Sequence, residues 1–155
     1  MTNFLSGHGF LGTHATFRSD ATLVLILVSM VLLTVGWQLR VHGYGKIHCR
    51  IQAIAVILNT VVVAVVMVPT FLAVILPGIP AKLFEGSYGI TALHGLIAAI
   101  SVVFGVFVVL RAHKLVPQAL RFKNYKLFMR TSYLLYLLST VLGVIVYLVV
   151  YIGGY

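Results

Sequence analysis

Four uninterrupted apolar runs dominate this sequence. Ala21–Leu39 has 19 residues and no charge, Ile51–Leu76 has 26 with Pro69 inside it, Gly89–Leu110 has 22 and Ser132–Ile152 has 21. A helix rises about 1.5 Å per residue, so a hydrocarbon core takes roughly 20 residues to cross. Each run therefore predicts one transmembrane helix. Within lipid every backbone N–H and C=O must be paired inside the protein, which only helices and closed barrels achieve. A barrel strand would alternate apolar and polar residues, and these runs do not. The expected fold is all-α: one four-helix transmembrane domain, polytopic, with helices at about 21–39, 51–76, 89–110 and 132–152. Short connections make sequential helices antiparallel neighbours.

Composition excludes the other classes. Of 155 residues, 61% are apolar and 8% charged, against about 25% charged in a soluble domain. Too few charges are present to cover a water-facing surface. Met1–Asp20 lacks the basic-then-apolar pattern of a secretory leader. Cys49 is the only cysteine, so no disulfide scaffold is expected. The formal charge is +9, a value that raises nucleic acid as a partner. Its distribution gives a simpler reading. Arg40, Lys46 and Arg50 lie in the first loop, and Arg111, Lys114, Arg121, Lys123, Lys126 and Arg130 in the third. Only Arg18 and Lys82 lie on the other side. Short Lys/Arg-rich loops stay in the cytoplasm. The expectation is a multi-pass protein of the cell membrane with basic loops cytoplasmic and both termini outside. A basic rim beside anionic headgroups accounts for the charge, and no nucleic acid is expected.

Aromatic residues suit this placement. Trp37, Tyr133 and Tyr136 fall near the basic side and Tyr147 and Tyr151 near the other, the positions of two interfacial belts. Small residues recur four apart, in Gly95/Ala99, Ser101/Gly105 and Ser139/Gly143, as helix packing in lipid requires. Asn59 lies about 13 Å past Arg50 along a helix. An amide at that depth is costly unless paired, so it is expected to be a structural polar residue bonded to a neighbouring helix. The segments Leu39-Arg40-Val41-His42 and Leu110-Arg111-Ala112-His113 form a faint repeat. A duplicated hairpin and a shared need for a basic helix end explain it equally.

Chemistry has few carriers. Asp20 and Glu85, the only acids, fall at the rim opposite the basic loops, so a carboxylate relay is not expected. Paired carboxylates, a phosphate-binding loop, a Ser-His-Asp set and Cys-x-x-Cys are all missing. No span carries the polar stripe of a channel or the broken polar helices of a transporter. No catalytic residue is expected. Six histidines remain: His8, His14, His42, His48, His94 and His113. Imidazole ligates haem iron, copper or zinc. A haem b across the bundle needs two histidines level on different helices. Counted from Arg40 and Arg111, His14 and His94 differ by roughly 14 Å in depth. His48 and His113 are level but expected at the wet interface. A weak copper site from His8, His14 and His94 is the other option. Plainer readings are interfacial caps for His42, His48 and His113 and a hydrogen-bonded helix residue for His94. Arg18 and Asp20 are expected to be interfacial groups or contacts to another chain.

Three segments carry a resemblance. His14-Ala15-Thr16 opens the first helix. Lys46-Ile47-His48-Cys49-Arg50 opens the second, followed by Asn59 and Met67-x-x-x-Phe71. His94 lies early in the third, and Thr131 through Gly143-Val144-Ile145-Val146-Tyr147 forms the fourth. This pattern resembles the small four-helix membrane proteins classed as domain-of-unknown-function family 420, found near terminal oxidase genes. The family usually has a histidine just before the last helix, where this chain reads Lys123-Asn124-Tyr125-Lys126. The resemblance implies a neighbourhood, that of respiratory redox complexes.

The functional expectation is a non-catalytic accessory or assembly subunit of a larger membrane redox complex. Its partners would be the lipid bilayer and other subunits, with no cofactor of its own. The alternative is a small haem- or copper-binding protein for electron transfer or metal delivery, using His14, His48 and His94.

Overall fold

The structure, a computed structural model, describes residues 7–79, 81–117 and 124–153. Arg121 and Lys123 of the long basic loop lie outside them. Among the described residues four helices are long and apolar enough to cross a membrane: Phe17–Val41 (α1), Gly45–Gly78 (α2), Gly86–Ala112 (α3) and Tyr125–Tyr151 (α4). Three of them outrun the apolar segments at both ends, and α4 at its start, because polar flanks continue the helix into the headgroup region. α1 packs most extensively on α2, and α3 on α4. Contacts of α2 with α3 and of α1 with α4 close the ring.

Polarity is inverted relative to a water-soluble bundle. Ser29, Asn59, His94, Ser101, Ser132, Ser139 and Thr140 are buried, while Val31, Ile54, Val65, Leu96, Val103 and Leu134 are exposed. Large aliphatic side chains have nothing to gain by leaving lipid, whereas polar groups do. This is a multi-pass membrane protein with an apolar coat suited to the bilayer. Close approach rests on glycine. A Cβ at Gly105 would overlap the Tyr136 hydroxyl and ring, and one at Gly143 would come within 3.0 Å of the His94 ring. Ser101/Gly105 and Ser139/Gly143 both serve the interior, as their spacing predicts. Ala99 is exposed, and Gly95 instead abuts the Phe71 ring.

The second helix is irregular around its proline. Regular α-helix runs over Gly45–Val62, wide π-type turns over Val63–Met67 and Phe71–Ile75 flank Val68–Thr70, and a tight turn closes Leu76–Gly78. Pro69 has no N–H to donate, so the ladder must reorganise beside it. Arg18 of α1 reaches into the defect. It donates to the Val66 carbonyl at 3.0 Å and to the Thr70 hydroxyl at 3.2 Å. Within the chain, Arg18 thus has its partner on α2. Replacing it with methionine is expected to lower stability by about 1–3 kcal/mol, the worth of a hydrogen bond to a charged group. Thermal unfolding in detergent measures this, and an unchanged midpoint would refute it.

α1 and α3 stop in the same way. His42 and His113 are the C-caps, and Gly43 and Lys114 follow with φ of 89° and 62°. Tyr44 N donates to Leu39 O and Leu115 N to Leu110 O, both at 2.9 Å. This left-handed turn satisfies the last carbonyls of a helix. The Leu-Arg-x-His repeat is therefore a repeated helix stop.

Candidate functional site

Two polar assemblies occupy opposite ends of the bundle. The first lies at the end shared by the N-terminal segment and the close of α4. Residues 7–16 fold back on themselves: Gly9 N donates to Ala15 O at 2.9 Å and Phe17 N to Gly7 O at 3.0 Å. Asp20, in the first turn of α1, is fully buried beneath them. Its carboxylate accepts from Leu11 N at 2.7 Å and from the Tyr147 hydroxyl at 2.5 Å. The Thr13 hydroxyl, 2.7 Å away, in turn donates to Tyr147, and Ser19 and Tyr151 are joined at 2.8 Å. Asp20 is thus an internal fastener of the N-terminal segment to α4. The expected aromatic belts are only half realised, since Tyr136 and Tyr147 are buried. These two lie eleven residues apart, three helical turns, so both fall on the inward face of α4.

Deeper in, α4 meets His94 and Asn59. His94 is buried, faces the Ser139 backbone carbonyl and leaves Nδ1 without a hydrogen-bond partner. Asn59 is buried on α2, and on α4 the Tyr136 hydroxyl is buried without a hydrogen-bond partner.

At the basic end residues of all four helices line a cavity of about 770 Å³. Leu33, Val56 and Tyr136, which form a buried cluster with Ala55, line it together with Val109. Its walls include Trp37, Val108 and Phe128, and its charged lining Arg40, Arg111, Lys114 and Arg130. His48 also lines it. The expectation of a wet interfacial His48 is corrected here: it is buried, and Nδ1 lies 2.7 Å from the Gly36 carbonyl on α1. The helix begins at Gly45 rather than Ile51, which turns His48 inward within its first turns. A carbonyl only accepts, so Nδ1 carries the proton and Nε2 is the acceptor. Gln52, one turn further on along the same face, donates to Leu33 O at 2.9 Å.

The histidines singled out for a metal are not brought together. His8 and His14 are exposed on the N-terminal segment, His48 lines the cavity at the basic end, and His94 sits between α3 and α4. Among the described residues no group of three or more His, Cys, Asp or Glu could hold a metal ion. Sequence reasoning missed Asp20 and the partners of His48. One clue to the first was present, since an acid is rare in so basic a chain. Comparison with protein-family models, curated proteins and solved structures found no match.

Proposed function

We propose that this protein is a non-catalytic accessory or assembly subunit of a larger membrane redox complex, a respiratory terminal oxidase. It lies in the cell membrane with basic loops cytoplasmic and both termini outside. The observation that carries the reading is how the buried polar groups are used. The buried Asp20 and His48 each bond to a neighbouring helix or to the folded-back segment, as do the half-buried Gln52 and Arg18. Used in this way, these groups hold the bundle as a scaffold by tying its helices and the folded-back segment together. The resemblance to proteins found near terminal oxidase genes supports the same neighbourhood. Deleting the gene is expected to lower oxidase-dependent oxygen uptake and the oxidase haem spectrum of the membranes, with recovery from a plasmid copy. Unaltered uptake and spectra would sink the reading.

Sidedness rests on the distribution of Lys and Arg. A cysteine placed at Phe84, which is 97% exposed, is expected to react with an impermeant reagent in sealed cells, in a background without Cys49. One placed at Lys123 is expected to stay unlabelled, and the reverse pattern would invert the topology.

One observation favours a second reading, a haem- or copper-binding role. His48 has its Nδ1–H fixed by a backbone carbonyl and its Nε2 available, as a metal-ligating imidazole usually has. Under this reading the purified protein shows a Soret band or stoichiometric copper that His48→Gln removes. Under the first it shows neither.

A further inference from the structure

We propose that the cavity at the basic end binds a single anionic phospholipid. Its phosphate would lie among Arg40, Arg111 and Arg130 and its glycerol and upper acyl segment against Leu33, Val56 and Val109. The proposal goes beyond the accessory reading and does not depend on which complex the protein joins.

Three observations support it. The cavity, about 770 Å³, falls in the roughly 300–1,000 Å³ range of small-molecule sites. Its lining is sorted by depth. Arg40 and Arg130 are exposed and Arg111 half-buried, while Leu33, seven residues before Arg40, stands about 10 Å deeper along α1. The polar head and the apolar body of an amphiphile meet matching surfaces in that order. The third observation is electrostatic. The only two acids of the chain, Asp20 and Glu85, belong to the opposite end of the bundle. No carboxylate side chain of this protein neutralises the cationic lining. Basic pockets between helices at headgroup depth recruit anionic lipid heads. A free phosphate would use the arginines but none of the apolar wall.

The test uses the full chain, extracted in mild detergent from vesicles of equal phosphatidylglycerol and phosphatidylethanolamine, with bound lipid counted by native mass spectrometry. One phosphatidylglycerol per chain is expected. Arg40→Gln with Arg130→Gln should lower its affinity about twenty-five-fold, since each basic group near an anionic surface contributes about fivefold. Val108→Trp keeps every charge but narrows the cavity, and it should lose the lipid as well. Should that variant fail to fold, the charge pair still decides. Trp37, the only tryptophan, lines the same cavity and gives a second readout. Its quenching by brominated phosphatidylglycerol should exceed that by brominated phosphatidylcholine, and the double substitution should remove the difference.

Equal retention of the two lipids overturns the proposal. So does retention of several phosphatidylglycerols unaffected by Val108→Trp, which marks diffuse attraction to the rim. Displacement by millimolar inorganic phosphate would mark a soluble-anion site, and a haem adduct would mark the second functional reading. Each overturns the proposal. The oxidase phenotype of a deletion is read separately, so either result can fail without the other.

Discussion

Replacing Tyr147 with phenylalanine is expected to release the N-terminal segment from the bundle. Its hydroxyl donates to Asp20 and accepts from Thr13, joining α4 to α1 and to residues 7–16. The variant leaves a buried carboxylate oxygen without that donor. Losing a bond to a charged group corresponds to a factor of roughly ten to a hundred. Amide exchange at Gly9 and Leu11 should therefore accelerate on the order of tenfold to a hundredfold, while the centre of α3 keeps its protection. Asp20→Asn should do the same or more, because an amide presents N–H where the site supplies donors. Unchanged exchange at Leu11 in both variants would show that the segment is held by other contacts.

Gly105→Ala is expected to destabilise the bundle by about 1–3 kcal/mol, the usual cost of overpacking a close-packed interior. The added methyl overlaps the hydroxyl and ring of Tyr136, which is 3% exposed and belongs to the small apolar cluster at the cavity. Gly105→Leu should abolish the folded state. A double-mutant cycle separates steric overlap from a backbone effect. Tyr136→Phe removes the oxygen nearest the new methyl, so the pair should cost less than the sum of its parts. Tyr136→Phe alone removes a hydroxyl that is buried without a hydrogen-bond partner, so it should cost little by itself. Strict additivity, measured by denaturation in mixed micelles, would mean that the two residues are not in contact.

The number and placement of the spans were legible because hydrocarbon thickness imposes a length on any crossing segment. The all-helical class followed from the same physics, since continuous apolar runs leave no strand pattern. Small residues at Ser101/Gly105 and Ser139/Gly143 pointed to the interior, and both do face it. The Leu-Arg-x-His repeat was visible too, although its meaning as a helix stop needed the φ angles of Gly43 and Lys114.

Which face of each helix turns inward was decided only by the tertiary structure. In water a helix betrays its buried side by an apolar stripe, but in lipid both sides are apolar and the stripe is lost. Tyr136 and Tyr147 thus read as interfacial belts until the phase of α4 placed them inside. His48 read as a wet histidine until the true start of α2 carried it against Gly36. Asp20 and Tyr147 are 127 positions apart, and no local pattern announces a bond across that distance. The cavity belongs to the same class. Its arginines are plain in the sequence as a basic rim, but only the folded structure gathers residues of all four helices around one hollow. Length and charge are properties of the chain, and were read from it. Mutual facing is a property of the packed bundle, set by which side chains can approach, and only the folded structure holds it.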